Sequence, residues 1–82
     1  MNREAPTLPV HEMVYCSQSK RWHAYAGSNY CCPLVCGDGF CIRVKDRYFT
    51  ARLEIDRAWY VLIDADKFRL HPEQIYDVIL LF

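Results

Sequence analysis

The side chains best suited to chemistry in this chain are five cysteines and three histidines, most of them in its first half. Cys32-Pro33-Leu34-Val35-Cys36-Gly37 places two thiols on either side of a turn, with a glycine after the second where the chain must bend without a Cβ. The spacing resembles a zinc knuckle with one more intervening residue than is usual. Zinc takes four ligands in a tetrahedron, so this turn supplies half a site. Cys16 and His23 are the candidates for the other half, with Cys31 able to replace Cys32 and His11 able to replace His23. The expectation is a structural zinc held by Cys16, His23, Cys32 and Cys36. The plainer account is that the thiols are simply buried, since free cysteine is among the most buried residue types. Cys41 is left out because its neighbours Phe40 and Ile42 occupy the opposite face of a strand.

The same residues argue less well for catalysis. Cys16 and His23 offer a thiol and a base, but a nucleophile also needs a pocket and an oxyanion site, which so short a chain barely encloses. The chain is therefore read as a binder and not an enzyme. His71 beside Pro72 reads as a turn residue, and Asp56, Asp64 and Asp66 fall at predicted turns, where aspartate is common for backbone reasons.

Positioning these groups is the work of alternating apolar runs. Between Cys36 and Ile63, Phe40, Ile42 and Val44, then Phe49, Ala51, Leu53 and Ile55, then Trp59, Val61 and Ile63 recur at every second residue. That period predicts a three-stranded meander with one apolar face, turning near Lys45-Asp46-Arg47 and Asp56-Arg57. Upstream, residues 11–16 and 20–26 flank the polar loop Ser17-Gln18-Ser19 and read as a hairpin. If Cys16 pairs with Arg21, then Tyr15 opposes Trp22, Met13 opposes Ala24 and Val14 opposes His23. Cys16 and His23 then share a face, and a slip of one residue separates them.

Pro33, Gly37 and Gly39 make residues 30–39 an irregular connector. Residues 64–67 form a turn, Phe68 to Leu70 a short strand, Pro72 to Gln74 a 3₁₀ turn, and Ile75 to Phe82 a last strand. The expected fold is all-β, a small SH3-like barrel or strongly curved antiparallel sheet of about six strands. A lead-in at residues 1–9 precedes one domain at 10–82. Barrel closure or a homodimer would hide the apolar edge of the last strand.

Composition narrows the partner. Apolar residues make up 52% of the 82 residues, as an ordered fold requires, and ten basic side chains balance ten acidic ones. A nucleic-acid binder needs a surplus of cations and a DNA mimic a surplus of carboxylates, and the chain has neither. No apolar run approaches a membrane span, and no apolar signal core opens the chain, so a cytoplasmic location is expected. An odd number of cysteines in such a compartment argues against a disulfide framework. Tyr48, Arg52, Glu54 and Tyr60 fall on the polar side of the meander, an aromatic and charged mixture typical of protein-binding patches. The alternative is a nucleic-acid-binding or regulatory accessory module that stacks bases on such aromatics.

Taken together, C-G-D-G-F at residues 36–40 and R-L-E-I-D-R-A-W-Y at residues 52–60 resemble a small uncharacterised β-domain family. That family is found in low-GC Gram-positive bacteria, their phages and integrative elements. The likeness covers residues 13–63 and, more weakly, the terminal strand, and the doublet Cys31-Cys32 departs from it. It implies a compact β domain with no assigned activity, carried on mobile DNA. Some small proteins of that kind resemble type II anti-CRISPR inhibitors, so the resemblance implies a host protein as partner, specifically a type II CRISPR effector nuclease.

Overall fold

The computed structural model, which describes residues 8–82, forms one antiparallel sheet of eight strands. In chain order these are β1 (His11–Cys16), β2 (Arg21–Ala26), β3 (Asn29–Leu34), β4 (Gly39–Val44), β5 (Arg47–Ile55), β6 (Trp59–Ile63), β7 (Asp66–Arg69) and β8 (Tyr76–Leu80). Their order across the sheet is β3-β2-β1-β8-β4-β5-β6-β7. Among the described residues there is no helix, so none is long and apolar enough to cross a membrane. Residues 1–7 of the expected lead-in lie outside the described residues.

The all-β expectation holds, but the strand count and the barrel do not. β3 and β7 stand at opposite ends of the strand order and are not paired with each other, so the sheet is open. One segment read as a connection is a strand, and the short strand expected at Phe68 to Leu70 begins two residues earlier. β3 accommodates Pro33 because it is an edge strand, where a residue without an N–H leaves no ladder bond unmade. β7 begins at Asp66 because a two-residue turn, Asp64-Ala65, suffices to reverse the chain after Ile63. Asp64 adopts a φ of 57°, which aspartate tolerates better than most residues.

The first hairpin has the expected register, with Cys16 opposite Arg21, Tyr15 opposite Trp22, Val14 opposite His23 and Met13 opposite Ala24. The meander also follows its alternation. Phe40, Ile42, Ala51, Leu53 and Val61 are buried, while Val44 and Ile55, at strand ends beyond the core, are 40% and 47% exposed. The segment 72–74 is a hydrogen-bonded turn, in which the Gln74 N–H donates to the His71 carbonyl at 2.9 Å.

One cluster holds all the buried apolar side chains, from Met13, Trp22 and Leu34 on one half of the sheet to Leu53, Val61 and Leu70 on the other. With no second layer to cover it, the apolar face must curl over itself. Trp22 sits at its centre, fully buried, with its ring 5.4 Å from Tyr15 and 5.7 Å from Tyr76 in edge-on contacts. Chain connectivity demands the same curl. From β3 to β4 the sheet order advances four positions, roughly 19 Å if flat, whereas the short connector 35–38 spans at most about 17 Å.

That connector is fixed tightly. The Asp38 carboxylate accepts the Val35 N–H at 2.8 Å, Gly37 turns at a φ of 97°, and the Gly37 N–H donates to the Leu53 carbonyl at 2.7 Å. Leu34 thereby reaches the β5–β6 hairpin, and Leu34, Ile55 and Trp59 line one shallow cavity.

Emptying the core tests this packing. Phe40→Ala should cost about 3–5 kcal/mol in urea unfolding, and Ile55→Ala at an exposed strand end less than about 1 kcal/mol. Similar losses at the two positions would contradict a core confined to the curled face.

Candidate functional site

Because side chains alternate along each strand, burying one face of the sheet presents the other to solvent. On β5 the outward residues are Tyr48, Thr50, Arg52 and Glu54, and on β6 they are Tyr60 and Leu62. Tyr48, Arg52, Glu54 and Tyr60 therefore share one face, as the alternation expects. Glu54 lies directly opposite Tyr60, and Arg52 forms an ion pair with Glu54 two residues along the same strand. This pair is exposed enough that it orders the two side chains more than it stabilises the fold.

The patch continues onto β7, where Arg69 falls in the strand expected at Phe68 to Leu70 and Lys67 in the turn expected just before it. Lys67 and Arg69 pair with Leu62 and Tyr60, so both cations join this face, and the Lys67 ammonium lies 4.9 Å from the centre of the Tyr60 ring. The alternation Lys67-Phe68-Arg69 was the signal for starting that strand earlier than Phe68. On the other side of Tyr48, Arg43 on β4 reaches Asp77 on β8 at 3.3 Å.

The expected zinc ligands are not gathered. Cys16 and His23 share the outer face of the first hairpin, as its register requires, with the Ser19 hydroxyl 3.2 Å from His23 Nε2. Cys32 pairs with Ala24 and packs against the core, on the other side of the sheet. The exposed thiol of Cys36 donates to Glu54 Oε1 at 3.3 Å. Cys31 is exposed at a bulge in β3, opposite the step from Ala24 to Tyr25. His11 stands on β1 opposite Val78. Among the described residues no group of three or more His, Cys, Asp or Glu side chains is placed to hold a metal ion.

The thiols differ in character instead. The loop after β1 lowers the Cys16 pKa, first through the Ser19 side chain and then through backbone hydrogen bonds from Ser19 and Gln18. Burial raises that of Cys32, and its neighbour Cys31 adds to the effect. Beside Cys16 and His23, Tyr30 packs edge-on against both His23 and Tyr25, at 5.3 Å and 5.7 Å between ring centres. This second aromatic cluster depends on β3 being a strand, which the sequence reading did not foresee.

A family model described as a domain of unknown function (DUF5348) matches residues 11–80. No curated protein and no solved structure matches the chain. The match agrees with the resemblance to an uncharacterised small domain family, and it spans β7 as well as the last strand, where the resemblance was weaker.

The thiol arrangement sets two expectations. In a brief iodoacetamide pulse near neutral pH, read by mass spectrometry, Cys16 should alkylate faster than Cys32, because only the thiolate reacts and its share is larger where the pKa is lower. Equal rates would contradict the assigned environments. Dialysis against a chelator should leave the melting temperature unchanged, and Cys16→Ser should shift stability by no more than about 0.5 kcal/mol. A sharp fall in either case would mean that the ligands do gather around a structural metal.

Proposed function

The chain belongs to the DUF5348 family, and from its exposed face we propose that it is a binding module that acts by adhering to a protein partner. The observation that carries this reading is the continuous outer patch of β5 to β7. There Tyr48, Arg52, Glu54 and Tyr60 stand beside Lys67 and Arg69 on one rigid ladder. Aromatic and arginine side chains dominate protein-binding energetics because each buries a large area when its surroundings are desolvated on binding. An overall balance of charge supports a protein partner over a polyanion.

The finer proposal takes its direction from the resemblance to domains of mobile elements. The partner is a host defence nuclease of the type II CRISPR class, inhibited by surface contact that occludes it or blocks its loading on DNA. Acidic mimicry of DNA is not part of this reading, since the chain lacks a carboxylate surplus.

Co-elution with purified type II effectors, followed by a DNA cleavage assay, tests the proposal. Binding and inhibition are expected, with Tyr48→Ala and Tyr60→Ala each weakening binding by about tenfold, or roughly 1.4 kcal/mol. Absence of binding across several effectors discards the nuclease partner. Unchanged binding in both variants discards the face, and a DNA mobility shift that falls steeply with salt favours the nucleic-acid alternative.

A further inference from the structure

An open sheet has two edges, and only one of them can accept another strand. At β3, Pro33 offers no N–H and the bulge at Cys31 breaks the two-residue repeat that an added strand would follow. β7 has neither obstacle. The Leu70 N–H donates to the Trp59 carbonyl at 3.0 Å, which fixes that pair as hydrogen-bonded. Hydrogen-bonded pairs alternate along an antiparallel ladder, so Phe68 and Asp66 bond to β6 while Lys67 and Arg69 turn their backbone N–H and C=O outward.

The side chains of β7 state what an added strand must carry. Lys67 and Arg69 project on the outer face, and among the described residues neither forms an ion pair. Phe68 projects to the other side, 46% exposed, into a cleft of about 440 Å³ that Ile63, Val44, Ile75 and Lys45 also line. The one carboxylate lining the cleft, Asp77, is already paired with Arg43. The β7 edge thus offers cations on one face and, on the other, a cleft with apolar walls at Phe68, Val44, Ile63 and Ile75, beside unpaired backbone groups.

We propose that the free edge of β7, with the adjoining Phe68 cleft, takes up an extended peptide in which acidic and apolar residues alternate. The peptide adds a ninth strand to the sheet. Its backbone bonds to Lys67 and Arg69, its carboxylates lie beside those two side chains, and its apolar residues enter the cleft next to Phe68. The inference rests on the protein-binding reading above and assigns the partner's segment a sequence pattern. A second copy of β7 fits poorly. Antiparallel pairing about Phe68 sets Lys67 opposite Arg69 of the other copy, and pairing about Lys67 sets that lysine opposite its own counterpart.

The probe is a short fluorescein-labelled peptide alternating glutamate and valine, with a lysine and valine peptide as control. The first should bind the chain and the second should not. Saturating peptide should slow amide hydrogen exchange at Lys67 and Arg69 by about tenfold or more while leaving β3 unchanged. The double variant Lys67→Glu, Arg69→Glu should lose binding of the glutamate peptide and gain that of the lysine peptide, an outcome that misfolding cannot mimic.

Failure of the glutamate peptide to bind, equal binding of both peptides, or binding without slowed exchange at those two amides overturns the inference. Partner binding that persists and depends on Tyr48 and Tyr60 would then leave the broader reading standing. Its absence would remove both.

Discussion

An apolar sheet face without a second layer has only itself to pack against, and this constraint organises the whole chain. Eleven buried apolar residues, spread over strands that lie far apart in the sheet order, meet in one cluster because the sheet curls. The curl is set by two agents acting together: burial of Trp22 and Phe40, and a connector too short to cross a flat sheet between β3 and β4. The Gly37 and Asp38 backbone bonds to Leu53 lock the connector onto β5, so loosening the apolar core would also loosen the path of the chain.

The curl also decides where function can reside. Enclosing the apolar side makes the outer side a broad ladder of polar and aromatic residues. Closing the sheet would have removed its edges. Because it stays open, one edge is blunted by Pro33 and a bulge, while the other keeps its backbone groups free beside Lys67 and Arg69. Charged edge residues discourage indiscriminate pairing, and under the proposed strand addition the same charges select a partner of opposite sign.

Much of this was legible in the sequence wherever two neighbouring strands sufficed. The register of the first hairpin followed from one loop and one apolar face, and the buried set of the meander followed from alternation alone. What could not be read were features set by distant pairing. β8 runs between β1 and β4, an arrangement that no local pattern announces. Pro33, with Gly37 and Gly39 after it, masked an edge strand, and the face of Cys32 depends on its pairing with Ala24 beside a bulge. The expected zinc ligands stand on different sides of the sheet for that reason, since separate registers fix their faces. The four partner-binding candidates shared a face because a single meander governs them all.

The central claim is a single curled sheet with the last strand of the sequence at its middle. Native-state amide hydrogen exchange across β8 tests it most directly. The account predicts that amides of Tyr76 to Leu80 bonded to β1 and β4 exchange among the slowest in the chain, at rates set by global unfolding. Exchange there as fast as in an exposed loop would contradict it.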